Sequence, residues 1–137
     1  CSIEVALIIF AGFVMSPIAV YMNRGNHEDH VMNLRYGFLK EICEKYEFHS
    51  KRINKLFNEA FSWLPLASVI DQNKYVVHGG ISDRTLLKDL AKIRREKYVS
   101  ILKPPIFNDK FELVENMNMD ELFEVHFVCI LKISFFD

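Results

Sequence analysis

The sequence predicts an α/β fold, with helices and strands mixed in one small domain. Three observations carry this expectation. Apolar residues recur at three and four positions in two segments, 31–46 and 50–63, as on one face of a helix. Short apolar runs bounded by turn residues, at 18–22, 67–70 and 75–77, have the length of buried strands. Half of the 137 residues are apolar and 26% are charged, which excludes a disordered chain.

The elements follow in order along the chain. Ser2 to Met15 is predicted as a helix, with Ser2 as N-cap and Glu4 in the first turn. Pro17 stops it, and Ile18-Ala19-Val20-Tyr21-Met22 is expected to be a short buried strand. The polar turn Asn23-Arg24-Gly25-Asn26-His27-Glu28-Asp29-His30 comes next. One helix is predicted from Val31 to Tyr46, with Leu34, Phe38 and Ile42 on its inner face and Glu28 and Asp29 at its N-terminus. Ser50 is expected to cap another helix, which buries Ile53, Leu56, Phe57, Ala60 and Phe61. Trp63-Leu64-Pro65-Leu66 breaks that helix. Ala67–Ile70 and Tyr75-Val76-Val77 read as strands around the turn Asp71-Gln72-Asn73-Lys74. His78-Gly79-Gly80-Ile81-Ser82 ends the second strand, and a short helix is predicted from Asp83 with Leu86, Leu87, Leu90 and Ile93 inside.

Charge and cysteine usage narrow the function classes. Seventeen basic against eighteen acidic residues leave a net charge of −1, so no global basic field draws nucleic acid. The basic stretch Arg84–Lys97 and the acidic stretch Asp109–Glu124 read as solvated faces. Cys1, Cys43 and Cys129, far apart and odd in number, read as reduced thiols and point to the cytoplasm. Val5 to Met22 is uncharged over eighteen residues, the lower limit for a membrane span. Gly12, Ser16 and Pro17 interrupt it and no basic cluster precedes it, so two buried elements are expected rather than a membrane segment or signal peptide. The competing interaction-protein reading, anchored through this run and the apolar C-terminal run Phe127–Phe136, predicts dependence on detergent. The start at Cys1 and that same terminal run predict a piece of a longer protein.

Two loops carry chemistry. Asn26, His27 and Glu28 follow one predicted strand, and His78 follows another, the positions where open α/β sheets bind ligands. An amide oxygen and a neutral imidazole suit divalent manganese, iron or zinc, while Gly25, Gly79 and Gly80 let backbone approach closely. Taken singly, a histidine at a strand end is more often a hydrogen-bonded residue than a ligand. The ordered set is far more specific. Arg24-Gly25-Asn26-His27-Glu28, Tyr36-Gly37-Phe38, Leu64-Pro65 and His78-Gly79-Gly80 together resemble the serine/threonine phosphoprotein phosphatases, a metallophosphoesterase family. Asn23 to Asp29, Asn33 to Phe38 and Trp63 to Ala67 look most like its EF-hand-containing, retinal-degeneration-type subgroup.

The resemblance covers about residues 2–105 and implies the central part of a calcineurin-like β-sandwich flanked by helices. It implies two divalent metal ions, manganese first and iron or zinc as alternatives, which activate water to hydrolyse phosphoserine and phosphothreonine in a phosphoprotein substrate. On it, Asn26 and His78 ligate one metal, and His27 is the general acid for the leaving oxygen. Tyr36 lines the substrate cleft, while Arg24 and Glu28 orient the loop from behind. The departures are large. The family's upstream GDxHG and GDxVDRG motifs and its downstream WSDP segment are missing, so two of six ligands are present. His126 lacks the context of a later ligand and reads as a strand residue. The expectation is therefore a partial catalytic domain over 1–105, a divergent tail over 106–137, and little or no activity from these residues alone. The alternative is a non-catalytic truncated product that binds phosphatase partners. Calcium or calmodulin control is implied only through regions absent here, since no D-x-[DN]-x-[DN]-G loop occurs.

Overall fold

The computed structural model describes residues 1–80, 86–97 and 100. Its elements are α1 (Ser2–Met15), a 3₁₀ turn (Asn26–Glu28), α2 (His30–Arg35), α3 (Phe38–Lys45), a second 3₁₀ turn (Glu47–His49) and α4 (Ser50–Trp63). The strands β1 (Ala67–Ile70) and β2 (Lys74–Val77) follow, then α5 (Leu87–Leu90) and a third 3₁₀ turn (Arg95–Lys97). Helices therefore dominate the first half, and the sheet is a two-stranded antiparallel hairpin in which Ser68 faces Val76.

The core is where α1, α3 and α4 meet. Ile3, Ile42, Phe57, Phe61 and Leu64 are buried there, with Phe10, Phe38 and Tyr46 packed against them. Phe38 stands edge-on to Phe57 at 5.1 Å, a geometry that opposes the positive ring edge to the negative ring face. On α4, Phe57 and Phe61 lie one turn apart and Ile53 is half-buried beside them, as the spacing predicts; Leu56 is instead exposed.

Several expectations are corrected. Segment 31–46 is two helices, because Gly37 takes φ +87°, a left-handed conformation that breaks the ladder between Arg35 and Phe38. Beyond the turn, Ile42 of α3 packs with Ile3 of α1. The N-cap of α2 is Asp29, whose Oδ1 accepts from the Val31 and Met32 amides at 2.8 and 3.1 Å. Ser50 does not cap α4; His49 stands at that position and the Ser50 hydroxyl donates to the Glu47 carbonyl. Ile18–Met22 forms no strand: Pro17–Ala19 is a turn, and Ile18 and Tyr21 are exposed. A strand exists only by pairing, and β1 and β2 bond to each other. Nor is α1 a fully buried element. Ile3, Ala6 and Phe10 face the core, whereas Val5, Leu7, Ile8, Val14 and Met15 are exposed. No helix among the described residues is long and apolar enough to cross a membrane. The predicted start of the last helix at Asp83, the segment after Lys103 and His126 lie outside the described residues.

Ser2 does not cap α1 either. Cys1 occupies the N-cap position, and the free Ser2 and Ile3 amides donate to the Glu41 carboxylate of α3 at 3.0 and 3.5 Å. Lys45 also reaches Glu41 at 2.7 Å and Glu4 at 2.6 Å, so one carboxylate serves a helix N-terminus and an ion pair together. Hydrogen bonds from Lys45 and from the Ser2 backbone hold the Glu41 carboxyl far below its ordinary value of 4.5. A depressed folded-state value means the unfolded chain binds the proton first. The docking of α1 on α3 is thus fully supported above pH 4.5 and fades as pH falls below it. Thermal melts from pH 7 to pH 3 should show a falling midpoint in the native chain and a flatter profile in Glu41→Gln. An unchanged acid slope in the variant would remove Glu41 as its cause.

Candidate metal and phosphate site

The turn after Met22 is fastened at both ends. The Arg24 amide donates to the Pro65 carbonyl at 2.7 Å, tying the turn to the chain just before β1. The Glu28 carboxylate reaches back to the Gly25 amide at 2.6 Å, while the Glu28 amide donates to the Gly25 carbonyl at 3.2 Å. The buried Arg24 guanidinium donates twice to the Glu28 carbonyl, at 2.9 and 3.3 Å. These bonds close a ring around Gly25-Asn26-His27 and give the Gly25 amide a partner in place of water.

Gly25 is required for space rather than for φ. A Cβ there would lie 2.8 Å from Glu28 Oε2 and 3.0 Å from His78 Nδ1. The backbone is therefore pinched between the carboxylate that braces the turn and the imidazole at the end of β2. Across this pinch Asn26 Oδ1 and His78 Nε2 stand 3.0 Å apart, although 52 positions separate them. Asn26 is buried and His78 is exposed.

The remaining predicted residues join the same place. His27 is exposed, and its ring stands edge-on to Tyr36 with centroids 5.0 Å apart. His27, Glu28, Asn33 and Tyr36 form the polar end of an open cleft of about 930 Å³, whose apolar wall comes from α1 and from Phe38 and Phe61. The buried Asn33 side chain also donates to Asn58 of α4 at 3.4 Å, tying α2 to α4. All six residues singled out from the sequence, Arg24, Asn26, His27, Glu28, Tyr36 and His78, are thus brought together. The strand expected ahead of Asn26 is absent, and a 3₁₀ turn held by Arg24 and Glu28 presents the residue instead.

Two contributors escaped the sequence reading. Asp29 fixes the start of α2 through its capping bonds, whereas the sequence pattern marks it only as one of two acids at that helix end. Asn23 was read as part of the turn, but its side chain reaches both strands of the hairpin. Its one sequence signal is a polar amide directly after the apolar run 18–22.

An amide oxygen and an imidazole nitrogen converging over a backbone with no room for a Cβ fit two donors of a divalent-cation site. The set is partial: among the described residues no three His, Cys, Asp or Glu side chains gather.

Similarity to known proteins identifies the family. The model of the calcineurin-like phosphoesterase family matches residues 2–127. Serine/threonine-protein phosphatase with EF-hands 2 of Mus musculus is 48% identical over 102 residues, 74% of this chain and 14% of that protein. Serine/threonine-protein phosphatase rdgC of Drosophila melanogaster is 43% identical over 123 residues, 90% of this chain and 18% of that protein. The chain therefore spans less than one fifth of the length of these relatives. Among solved structures, a protein serine/threonine phosphatase from Saccharomyces cerevisiae, with similarity to human phosphatase PP5, superposes with a TM-score of 0.66 at 36% identity. That match covers 75% of this chain and 32% of the yeast chain. The helix-and-hairpin arrangement is thus part of that fold, and the chain belongs to the calcineurin-like phosphoesterase family.

Proposed function

We propose that this chain contributes to a metal-dependent hydrolase acting on phosphoserine and phosphothreonine in proteins. The observation that carries the reading is the meeting of Asn26 Oδ1 and His78 Nε2 at 3.0 Å, with His27 next along the same braced turn. The names of the relatives, serine/threonine phosphatases at 43–48% identity, support it.

In this reading Asn26 and His78 hold one of two divalent ions, manganese first and iron or zinc as alternatives. When bound, such ions supply Lewis acidity to phosphoryl oxygens and make water more acidic. His27 carries the proton that the departing serine or threonine oxygen needs, since an alkoxide is a poor leaving group. Tyr36 steadies the His27 ring from its edge and lines the cleft that receives the phosphorylated segment. Arg24 and Glu28 hold the backbone so that Asn26 faces His78. Several of the relatives are named for EF-hands. Calcium control in this protein would act through such segments, which the present sequence does not contain.

The test is phosphate release from a phosphoseryl peptide by protein loaded with Mn²⁺, against the same protein treated with chelator. Release that follows metal loading supports the hydrolase. Bound Mn²⁺ without turnover favours the non-catalytic product that binds phosphatase partners. Failure to bind Mn²⁺ at all overturns the roles given to Asn26 and His78.

A further inference from the structure

We propose that Asn23 is a positioning residue: its side chain clips the Asn26 turn onto one rung of the hairpin and so sets the meeting of Asn26 with His78. The Asn23 Nδ2 group donates to the Val76 carbonyl of β2 at 3.1 Å, and its Oδ1 accepts from the Ser68 hydroxyl of β1 at 2.7 Å. Ser68 and Val76 are cross-strand partners, so a single amide spans both strands at the same level.

The consequence is a closed circuit. Three residues lead from Asn23 to Asn26, and two lead from Val76 to His78. The Asn23–Val76 bond closes one side of this loop and the Asn26–His78 contact closes the other. Next to the clip, the bond from the Arg24 amide to the Pro65 carbonyl fixes the direction in which the turn leaves. With both ties in place the approach of Asn26 to His78 has little freedom left. Without Asn23, the end of β2 is tied to the turn through the Asn26–His78 contact itself, which then sets its own geometry.

The chemistry at this rung favours an amide. A backbone carbonyl accepts only, so the donor half of Asn23 must face Val76 and its oxygen must face Ser68. Aspartate would turn a carboxylate toward the Val76 carbonyl, and leucine would offer neither group a partner.

The metal arm of the test rests on the phosphatase reading; the metal-free arm does not. The first readout is the His78 imidazole, followed by long-range proton–nitrogen NMR in Asn23→Leu, Ser68→Ala and the native chain without metal. Asn26 Oδ1 accepts only, so native His78 should hold its proton on Nε2. Asn23→Leu should move His78 toward an average of the two neutral tautomers, with the hairpin amide signals of β1 and β2 retained. Ser68→Ala, which leaves the Val76 bond, should move it in the same direction by less. The second readout is paramagnetic broadening of the His78 ring signals by Mn²⁺. Its midpoint should rise about tenfold in Asn23→Leu, the usual scale for losing a group that orients a ligand. A native chain that ignores Mn²⁺ but shows the tautomer response retires the metal reading and keeps the clip. Should Asn23→Leu fail to fold, Ser68→Ala decides. An unaltered His78 in whichever variant keeps the hairpin overturns the proposal.

Discussion

In a full-length phosphatase carrying this segment, as the proposed function requires, His27→Asn is expected to cut turnover of a phosphoseryl peptide by ~10²–10⁴-fold, the range for loss of a positioned proton donor. The same variant should lose far less against an aryl phosphate, whose leaving group departs as a stable anion and needs no proton. That contrast separates a lost acid from a damaged site, because misplaced metal ligands would depress both substrates together. Kinetics of the two substrates, with Mn²⁺ saturating, measure it. Equal losses on both would remove His27 from the acid role and make it a cleft residue like Tyr36. His27 is exposed at the cleft with its ring edge-on to Tyr36, while the neighbouring Asn26 is buried beside His78.

Ile42→Ala should be the most damaging single truncation in the helical core. Ile42 has no exposed surface, and it packs with Ile3 of α1 and with Phe57 and Phe61 of α4. Removing a buried isoleucine side chain loses its transfer free energy and leaves a cavity, together about 2–5 kcal/mol. Small domains have stabilities of roughly 5–15 kcal/mol, so the loss takes a large share. Urea denaturation should show a lower midpoint with an unchanged slope. Leu56→Ala, one position before Phe57 on α4 but 55% exposed, should cost less than about 1 kcal/mol. Similar costs for the two variants would mean that α1, α3 and α4 do not share one core.

The two hairpin strands were legible because their signals are local: β-branched runs flank a short polar turn, and observed β2 begins one residue before its predicted start. Helix α4 was legible from spacing, since Phe57 and Phe61 fall one turn apart on the buried face. The break at Gly37 is hidden in the sequence, because the apolar period runs on through Tyr36-Gly37-Phe38. A glycine inside a helical pattern does not announce a left-handed turn. Ile18–Met22 was misread because an apolar run gives composition without a partner, and a strand needs the partner.

What the residues determined by themselves is the site inventory and its order. Arg24 to Glu28, Tyr36 and His78 could be named, and their family resemblance recognised, because residue type and spacing survive without coordinates. Which groups face each other was decided by tertiary structure alone. Glu41 caps α1 from another helix, Asn23 joins both strands of the hairpin, and Gly25 is small because His78 arrives beside it. Hydrogen bonds and excluded volume act over a few ångströms in space, and sequence periodicity reports only on neighbours along one element. Contacts between Ser2 and Glu41, or Asn26 and His78, cross some 39 and 52 positions of chain, and no local pattern encodes them.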